Sequence, residues 1–478
     1  MKKIFNKQLV ILGIATLSAF GCKKGADATS GNFDKSANAG ALANGRPCTP
    51  IPVDANGIIT ATFLDNDHNW QVDGVSYVAP GATLTIEQGT VVVTGATKTY
   101  NDPTFGSQTL AGVIVVPKTA KLEAIGTPSE PIVFTTPQVA GCSGPGCNVA
   151  GNFGGIVMLG QAPTNQPTTI RIEGVPQPAG TDITYGGSLS ADDSGTLRYV
   201  RIEFPGYRLT DNNEINGLTL GGVGSGTELS HIQVSYSADD SFEFFGGTVN
   251  ADHLVALAGD DDDFDFDFGY SGTITYAIGL KDPSSTHSTS SGASDANGIE
   301  SDNNGTGLSL TPTTKPVLRN FTLLGYANSG STTLRNGNRW RRATSLDIQS
   351  SIIGGYNTAV EYNNTTNITN PATFANNVVQ AYTTLFNPLA GPNPSVNTPN
   401  TTLASTAVAN NFLRLGATAS SVPFFSCSVA ATYNPSDLIP RSGSPAFGTA
   451  TTYKGAFQPG VTPWTATWTN FNPGFCCN

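Results

Sequence analysis

The amino-acid sequence predicts an all-β fold, a right-handed parallel β-helix (a solenoid) with loop insertions. Three observations lead to this prediction: the composition, a succession of short strand-like segments, and the regular spacing at which these segments recur. The chain has 54 Gly and 30 Pro among 478 residues, and only 12% of its residues are charged. Helical bundles and coiled coils need more charged and helix-forming residues, and disordered chains lack recurrent apolar runs, so the composition argues against all three.

Strand-like segments follow one another from about residue 57, each bounded by Gly, Pro or Asn and with no helical pattern between them. The first are GVSYVAP, ATLTIEQ, TVVVTG, GVIVVP, AKLEAIG and PIVFTTP. Later segments are GTLRYVRIEF, GTELSHIQVSYS, ADHLVALAG, SGTITYAIGL, KPVLRNFTLLG and SLDIQSSIIGG. The first four of these later segments end at Phe204, Ser237, Gly259 and Leu280, and the differences between successive positions are 33, 22 and 21.

The two shorter differences give the repeat period, which fits one solenoid coil of three short strands, and the longer gaps are then coils that carry loop insertions. Each coil buries its inward side chains against the coils above and below, so that like residues form ladders. A propeller needs a period of about 40 residues and a sandwich needs hairpin dipeptides, and neither fits this spacing. We therefore predict a single stack, begun by residues 57–75.

The start of the chain has the features of an exported protein. Residues 1–21 combine three lysines with a short apolar run, which is typical of a signal peptide. Residues 19–22 (AFGC) resemble a bacterial lipobox, so Cys22 is the expected lipidation site. Residues 22–46 are expected to form a flexible tether, and residues 47–478 a single β-helix domain with a Cys-containing C-terminal cap.

The residues after Cys22 and the net charge bear on location and partners. Lys23 and Lys24, rather than Asp, follow Cys22. By analogy with lipoprotein sorting in Gram-negative bacteria, this favours a lipid anchor in the outer membrane, at the cell surface or on the periplasmic face. The net charge of −11 argues against a nucleic-acid partner, because duplex binding needs a basic surface. The expected partners are the membrane, through the lipid anchor, and a polysaccharide or a surface protein.

An even number of further cysteines in an exported chain indicates disulfides. These six are Cys48, Cys142, Cys147, Cys427, Cys476 and Cys477. We predict a disulfide between Cys142 and Cys147, because the Gly and Pro between them permit a tight turn. Cys476 and Cys477 are adjacent and would strain the backbone if paired, so separate partners such as Cys427 and Cys48 are expected. A thiolate metal site is the alternative, but no second CxxC-like pair supports it.

Acidic residues are concentrated between residues 211 and 304. Strand alternation in FDFDF (264–268) places the Phe side chains in the core and the neighbouring Asp side chains on the other face. Glu243, Asp265 and Glu300 would then form a ladder on one outer face of successive coils. Their mutual repulsion must be relieved by protons, water or a cation, and calcium prefers clustered oxygen ligands. We therefore predict calcium as a cofactor, with metal ligands drawn from Asp239, Asp240, Glu243, Asp263, Asp265, Asp267, Glu300 and Asp302. The alternative is a solvated acidic stripe that keeps the surface soluble.

A second cluster is basic and aromatic. Arg339, Trp340, Arg341 and Arg342 are predicted to bind a ligand, because Trp stacks on sugar faces and Arg grips carboxylates. The alternative is that these arginines pair with the acidic residues of neighbouring coils. His231, His253 and Lys281 are the other candidate bases near the acidic residues.

Several segments resemble those of large bacterial surface lipoproteins of the Bacteroidetes type. They include GVSYVAPGATLTIEQGTVVV, LRYVRIEFPG, NEINGLTLGGVGSGTELSHIQVSYSADDSFEFFGG and YKGAFQPGVTPWTATWTNFNP. The resemblance covers most of residues 50–475 and implies a right-handed β-helix, with no assigned activity. GSPAFG near residue 443 also resembles the last-coil segment of many β-helix proteins, polysaccharide-processing ones included.

Two functions from different classes follow from these observations. The first is a binding or structural role at the cell surface, with a glycan, matrix or protein ligand and with calcium stabilising the acidic coils. The alternative is a carbohydrate-active enzyme, a polysaccharide lyase or glycoside hydrolase, acting at residues 211–304. The acids there are so numerous that a catalytic pair cannot be chosen from the sequence.

Overall fold

The computed structural model describes residues 45–143, 148–210, 213–290, 293–327, 333–363, 373–390, 399–403 and 424–474. The predicted signal peptide, Cys22, most of the tether and three of the cysteines (Cys147, Cys476 and Cys477) lie outside these ranges. Within them the chain forms one large parallel sheet that winds into a right-handed β-helix, as predicted. No helix in the described ranges is long and apolar enough to cross a membrane.

Three strands per coil stack into three columns of hydrogen-bonded parallel strands. Column 1 contains Ile58–Ile59, Val75–Val78, Val113–Val116, Gly155–Leu159, Leu218–Gly221, Phe242–Phe245, Phe264–Asp267, Asn297–Ser301, Asn336–Arg341 and the later parts of Ile352–Asn363 and Val378–Ala390. Column 2 contains Phe63–Leu64, Thr83–Ile86, Lys121–Ile125, the first parts of Gly195–Glu203, Glu228–Ser235, Asn250–Leu257, Thr273–Leu280 and Val317–Leu324, then Asp347–Gln349 and Thr373–Ala375. Column 3 contains Cys48–Pro50, Asn69–Val72, Val91–Thr94, Ile132–Thr135, the second parts of the five strands whose first parts lie in column 2, the first parts of Ile352–Asn363 and Val378–Ala390, and Thr401–Leu403.

Short elements lie in the turns and in the C-terminal segment. Among the described residues, three antiparallel hairpins lie in the turns of the solenoid: Lys98–Asp102 with Gly106–Leu110, Tyr207–Thr210 with Asn213–Ile215, and Thr289–Ser290 with Ala293–Ser294. Two 3₁₀ helices, Cys427–Val429 and Pro435–Leu438, lie in the C-terminal segment. The hairpins are part of the loop insertions that the uneven spacing of the strand segments predicted.

The strand register confirms the predicted period. Glu228 pairs with Asn250 and Phe242 pairs with Phe264, so each partner lies one predicted period further along the chain. Inward side chains form the expected ladders, since the Phe242 and Phe264 rings stack with centroids 5.3 Å apart. These rings belong to a core that extends along the stack and contains side chains from all three columns.

A single residue forms the corner between columns 2 and 3 in five successive coils. These corner residues are Tyr199, His231, His253, Tyr276 and Asn320, and their φ angles lie between 52° and 59°. The left-handed conformation turns the chain sharply within what is otherwise one continuous strand. Equivalent corner side chains therefore project outward directly above one another.

The C-terminal segment (residues 424–474) covers the side of column 3, whereas the sequence had led us to expect a cap on the end of the stack. Trp468 O accepts a hydrogen bond from Arg201, and Ala456 N donates to Thr322 Oγ1, which lies further along the same column. The physical reason lies in the outward side chains of column 3, which include Val255 and Ile278 and would otherwise expose apolar surface.

The disulfide that the structure shows at Cys142 is with Cys48, 94 residues earlier, so the predicted pairing with Cys147 is wrong. The segment after Ile132–Thr135 folds back over column 3, where Ala140 packs with Val91 and Val133. This path brings Cys142 beside Cys48 at the start of column 3. Cys427 is also disulfide-bonded.

Replacing Cys48 and Cys142 together by Ser is expected to destabilise the protein by about 2–5 kcal/mol, because the cross-link closes a long loop in the unfolded chain. Thermal unfolding of the double variant measures the loss. Peptide mapping of the unreduced wild type should recover a linked peptide pair that contains both cysteines. A linked Cys142–Cys147 peptide would contradict the pairing described here.

Candidate functional site

The outward side chains of column 1 form a charged ladder across six coils. The ladder residues, in register, are Thr219, Glu243, Asp265, Glu300, Arg339 and Glu361. The predicted succession of Glu243, Asp265 and Glu300 is therefore present. Arg339 occupies the next rung, so the acidic and basic clusters singled out in the sequence belong to one continuous ladder.

This ladder is largely buried, although its side chains point away from the core. Glu243 is 7% exposed and Glu300 is 5% exposed. A long insertion, residues 160–194, packs over column 1, and its Tyr185 ring lies 6.2 Å from that of Phe245. The insertion also spans coils, because Asn165 Nδ2 donates to Asn303 O at 2.7 Å. A solvated acidic stripe therefore does not describe this face.

A second ladder lies where the chain enters column 1, two positions before the first core side chain of each strand. Its members are Asn216, Asp240, Asp262, Asn297 and Asn336. The Asp262 backbone N–H donates to Asp240 Oδ1 at 2.8 Å, and the Asn297 N–H donates to Asp262 Oδ1 at 2.5 Å. Asp262 is absent from the metal ligands predicted from the sequence, although the recurrence of Asn or Asp at this offset was a usable signal.

Three of the eight predicted metal ligands are committed to ion pairs. Asp263 Oδ1 lies 3.2 Å from Lys281 Nζ, and both side chains are fully buried. Glu300 pairs with Arg341, and Arg341 Nε also donates to Asp302 at 2.8 Å. The arginine pairs neutralise Glu300 and Asp302, and Lys281 neutralises Asp263.

The basic cluster is bound mainly to these acids, which was the alternative to a ligand-binding role. Arg339 contacts Asp295, Glu300 and Glu361, and Arg342 Nη1 lies 2.6 Å from Asp302 Oδ2. Of the four predicted ligand-binding residues, only Arg342 has a side chain with substantial exposure, at 41%.

Trp340 cannot stack on a sugar, so its predicted role is wrong. Its indole is fully buried and packs edge-on against Tyr362 and Phe374. Strand alternation explains this placement: Arg339 and Arg341 point outward, which turns the intervening Trp340 into the core.

Five further acids of the region make no ion pair to a basic side chain among the described residues. This group, the unpaired acids, comprises Asp240, Glu243, Asp262, Asp265 and Asp267. Burial and then the charge of neighbouring carboxylates raise the pKa of each of them well above the ordinary value. One carboxylate oxygen from each of Asp240, Glu243 and Asp265 lies within 4.8 Å of the other two.

This geometry occurs in a chain whose residues 57–421 match the model of the pectate-lyase-like β-helix domain family. The chain belongs to this family. No curated protein and no solved structure matches the chain. Membership of the pectate-lyase-like β-helix family suggests a polysaccharide-related role and agrees with the parallel β-helix that the sequence predicted.

The unpaired acids of this pectate-lyase-like β-helix fit a hard divalent cation. They offer only oxygen donors, and the Asp265 Oδ1 atom is buried without a hydrogen-bond partner. The Asn216 amide donates to Glu243 and holds that carboxylate in place. A second group, Asp239, Asp240 and Asp261, also brings three carboxylate oxygens within 4.8 Å of one another. Calcium takes six to eight such oxygen ligands, and water or a bound ligand would have to supply several of them.

Proposed function

We propose that this pectate-lyase-like β-helix is a surface-anchored protein that binds acidic polysaccharide at column 1, with calcium held by Asp240, Glu243 and Asp265. The observation that carries the proposal is the convergence of these three carboxylates without a basic partner among the described residues. Calcium would neutralise their charge, and a polyuronate oxygen would reach the ion beside Asp265, which is less buried than Asp240 and Glu243.

Binding is favoured over turnover because the nearby cations are already engaged. A lyase needs a base to abstract a proton, but Lys281 is fully buried against Asp263, and Arg341 is held by Glu300 and Asp302. Both cations are therefore poorly placed to act on a substrate.

A carbohydrate-active enzyme is the second candidate, and one observation favours it. Glu243 and Asp265 occupy adjacent rungs, and burial raises the pKa of both carboxyl groups. A carboxylic acid that keeps its proton near neutral pH can serve as the general acid of a glycoside hydrolase.

Anchoring and location complete the proposal. The lipobox-like AFGC sequence supports lipidation of Cys22, residues 22–46 would form the tether, and Lys23 and Lys24 after Cys22 favour the outer membrane as the location. Cys22→Ala should abolish incorporation of labelled fatty acid and release the protein from the membrane fraction. Incorporation that survives this substitution would contradict the anchor.

Calcium is expected to raise the melting temperature of the protein by several degrees at saturation. A ligand at about 100 times its Kd stabilises the folded state by about 2.7 kcal/mol. The variant Glu243→Gln/Asp265→Asn should lose this response, whereas Glu228→Gln, at an exposed carboxylate of column 2, should keep it. Equal melting temperatures in calcium and in chelator would contradict the proposed calcium site.

Polyuronate binding is tested by calorimetry in calcium and in chelator, with a neutral glucan as the control polysaccharide. We expect saturable, calcium-dependent binding of the polyuronate and no binding of the neutral glucan. The same mixtures are followed for absorbance of unsaturated products and for new reducing ends. Binding without either signal supports the binding role, and either signal, if lost in Glu243→Gln, supports the enzyme instead.

A further inference from the structure

The corner between columns 2 and 3 carries a stack of aromatic rings outside the acidic face. Ring centroids are 4.5 Å apart for Tyr199 and His231, 4.3 Å for His231 and His253, and 5.1 Å for His253 and Tyr276. The two imidazoles are neighbours because the corner residues of successive coils lie one above another. Two histidines at equivalent corners of adjacent coils thus become one pair on the surface.

A carboxylate and a hydroxyl complete a cluster around these imidazoles. Asp252 Oδ1 contacts His253 Nδ1 and lies 4.0 Å from His231 Nδ1. Ser230 Oγ lies 2.7 Å from the same Asp252 oxygen and 2.8 Å from His231 Nδ1. One ligand atom each from His231, Asp252 and His253 lies within 4.8 Å of the other two.

We propose that His231, His253 and Asp252 form a binding site for a divalent transition-metal ion, of the zinc or copper(II) class. Imidazole nitrogens with one carboxylate oxygen are ligands that these metals favour, whereas the all-oxygen set of column 1 suits calcium. Bonds of about 2.0–2.2 Å to one ion need ligand atoms about 3–4 Å apart, so a small movement of the rings suffices.

The surrounding structure fixes the ligands but leaves the site accessible. Ser230 and Asp252 are partners in the parallel ladder of column 2, which sets the spacing of the two coils. Trp464 of the C-terminal segment lies edge-on to the His253 ring at 5.0 Å, and Trp468 lies edge-on to the His231 ring at 5.7 Å. All three ligand side chains keep some exposure, between 17% and 41%.

An open groove of about 400 Å³ meets the cluster at Asp252. Most of its lining residues are polar, among them Thr227, Glu228, Asn250 and Thr273. A metal ion with three protein ligands keeps at least one coordination position for water or for an oxygen of a bound molecule. Because the groove reaches Asp252, an ion held there would be exchangeable and open to a ligand rather than sealed in the fold.

The proposal is tested by calorimetric titration of the metal-stripped full-length protein with zinc. We expect one zinc ion per chain bound in the presence of excess calcium. Copper(II) should quench tryptophan fluorescence with the same stoichiometry, because Trp464 and Trp468 adjoin the site. Calcium in excess separates this test from the column 1 site, so either proposal can fail alone.

The decisive variants are His231→Asn and His253→Asn. Asn320 and Asn376 occupy the same corner in later coils with positive φ, so Asn is compatible with this backbone. Loss of an outer-shell partner alone weakens metal affinity about 10- to 100-fold, so loss of a ligand is expected to cost at least about 100-fold. Asp252→Asn provides a second route, since it leaves both corners unchanged.

His68→Asn is the matched control. His68 Nδ1 lies 2.7 Å from Asp65, and the His68 ring lies 5.0 Å from Trp70, but only one imidazole is present there. The control should bind zinc like the wild type. The proposal would be overturned if the wild type showed no saturable zinc binding, or if both His variants and Asp252→Asn bound zinc with wild-type affinity. The cluster would then be a set of hydrogen-bonded side chains without a metal-binding role.

Discussion

Lys281→Met is expected to destabilise the protein by about 3–5 kcal/mol, because it leaves the Asp263 carboxylate buried without its counter-charge. Both side chains are fully buried, and their charged atoms lie 3.2 Å apart. Burial alone would lower the pKa of Lys281, but Asp263, Asp262 and Asp261 outweigh that effect and raise it. The lysine is therefore the main internal cation of the acidic turns, and thermal unfolding near pH 8 measures its contribution.

Two further variants serve as controls for the Lys281→Met result. Lys281→Met/Asp263→Asn should recover part of the lost stability, because the buried charge is then absent. Lys121→Met removes an exposed lysine that pairs with Asp193, and it should change stability by no more than about 1 kcal/mol. A Lys281→Met variant as stable as the Lys121→Met control would show that the buried pair contributes little.

In chelator, the free energy of unfolding is expected to fall as the pH rises from about 6.5 to 8. Acidic groups usually have the opposite effect, because a lowered pKa makes stability fall as the pH falls. Burial raises the pKa of Glu300 to about 7, and burial with neighbouring carboxylates raises that of the unpaired acids well above the ordinary value. In the folded state these groups hold protons that the unfolded chain releases. Each such proton makes stability fall by about 1.4 kcal/mol per pH unit until the pH passes the folded-state pKa.

The two histidines with a lowered pKa contribute little to the slope in this pH window. Burial lowers the pKa of His231 and His287 to about 4, and their contribution rises with pH between about 4 and 6.5. Above that range both are neutral in the folded and unfolded states. Melting temperatures in chelator and in calcium provide the measurement, and calcium should flatten the slope. A flat or rising profile in chelator would contradict the raised pKa values.

The repetitive part of the fold could be predicted from the sequence because one pattern recurs at a constant spacing. The repeat period placed Phe242 above Phe264, and alternation then assigned Glu243 and Asp265 to the opposite face. The register across the 281–296 insertion followed as well, since the Asn-Gly-Ile-Glu segment repeats the pattern and places Glu300 on the next rung.

What could not be predicted depends on contacts between segments far apart in the chain. Burial of the ladder results from the insertion at residues 160–194, whose path has no repeat to guide it. The Cys48–Cys142 pairing requires a loop to fold back over column 3. The His231–His253 pair was visible as two histidines one period apart, but only the corner geometry shows that both point outward.

The one-residue corner between columns 2 and 3 also determines where this protein can accept new segments. From Gly195–Glu203 to Val317–Leu324 that corner leaves no room for extra residues, because a single left-handed residue joins two hydrogen-bonded strands. The other two turns accommodate insertions such as residues 281–296 and 302–316. The corner between columns 2 and 3 therefore has a fixed length, whereas the other two turns can take additional residues. Epitope tags or reporter peptides inserted in those two turns should leave the protein folded, and the same insertions at the corner between columns 2 and 3 should disrupt the stack.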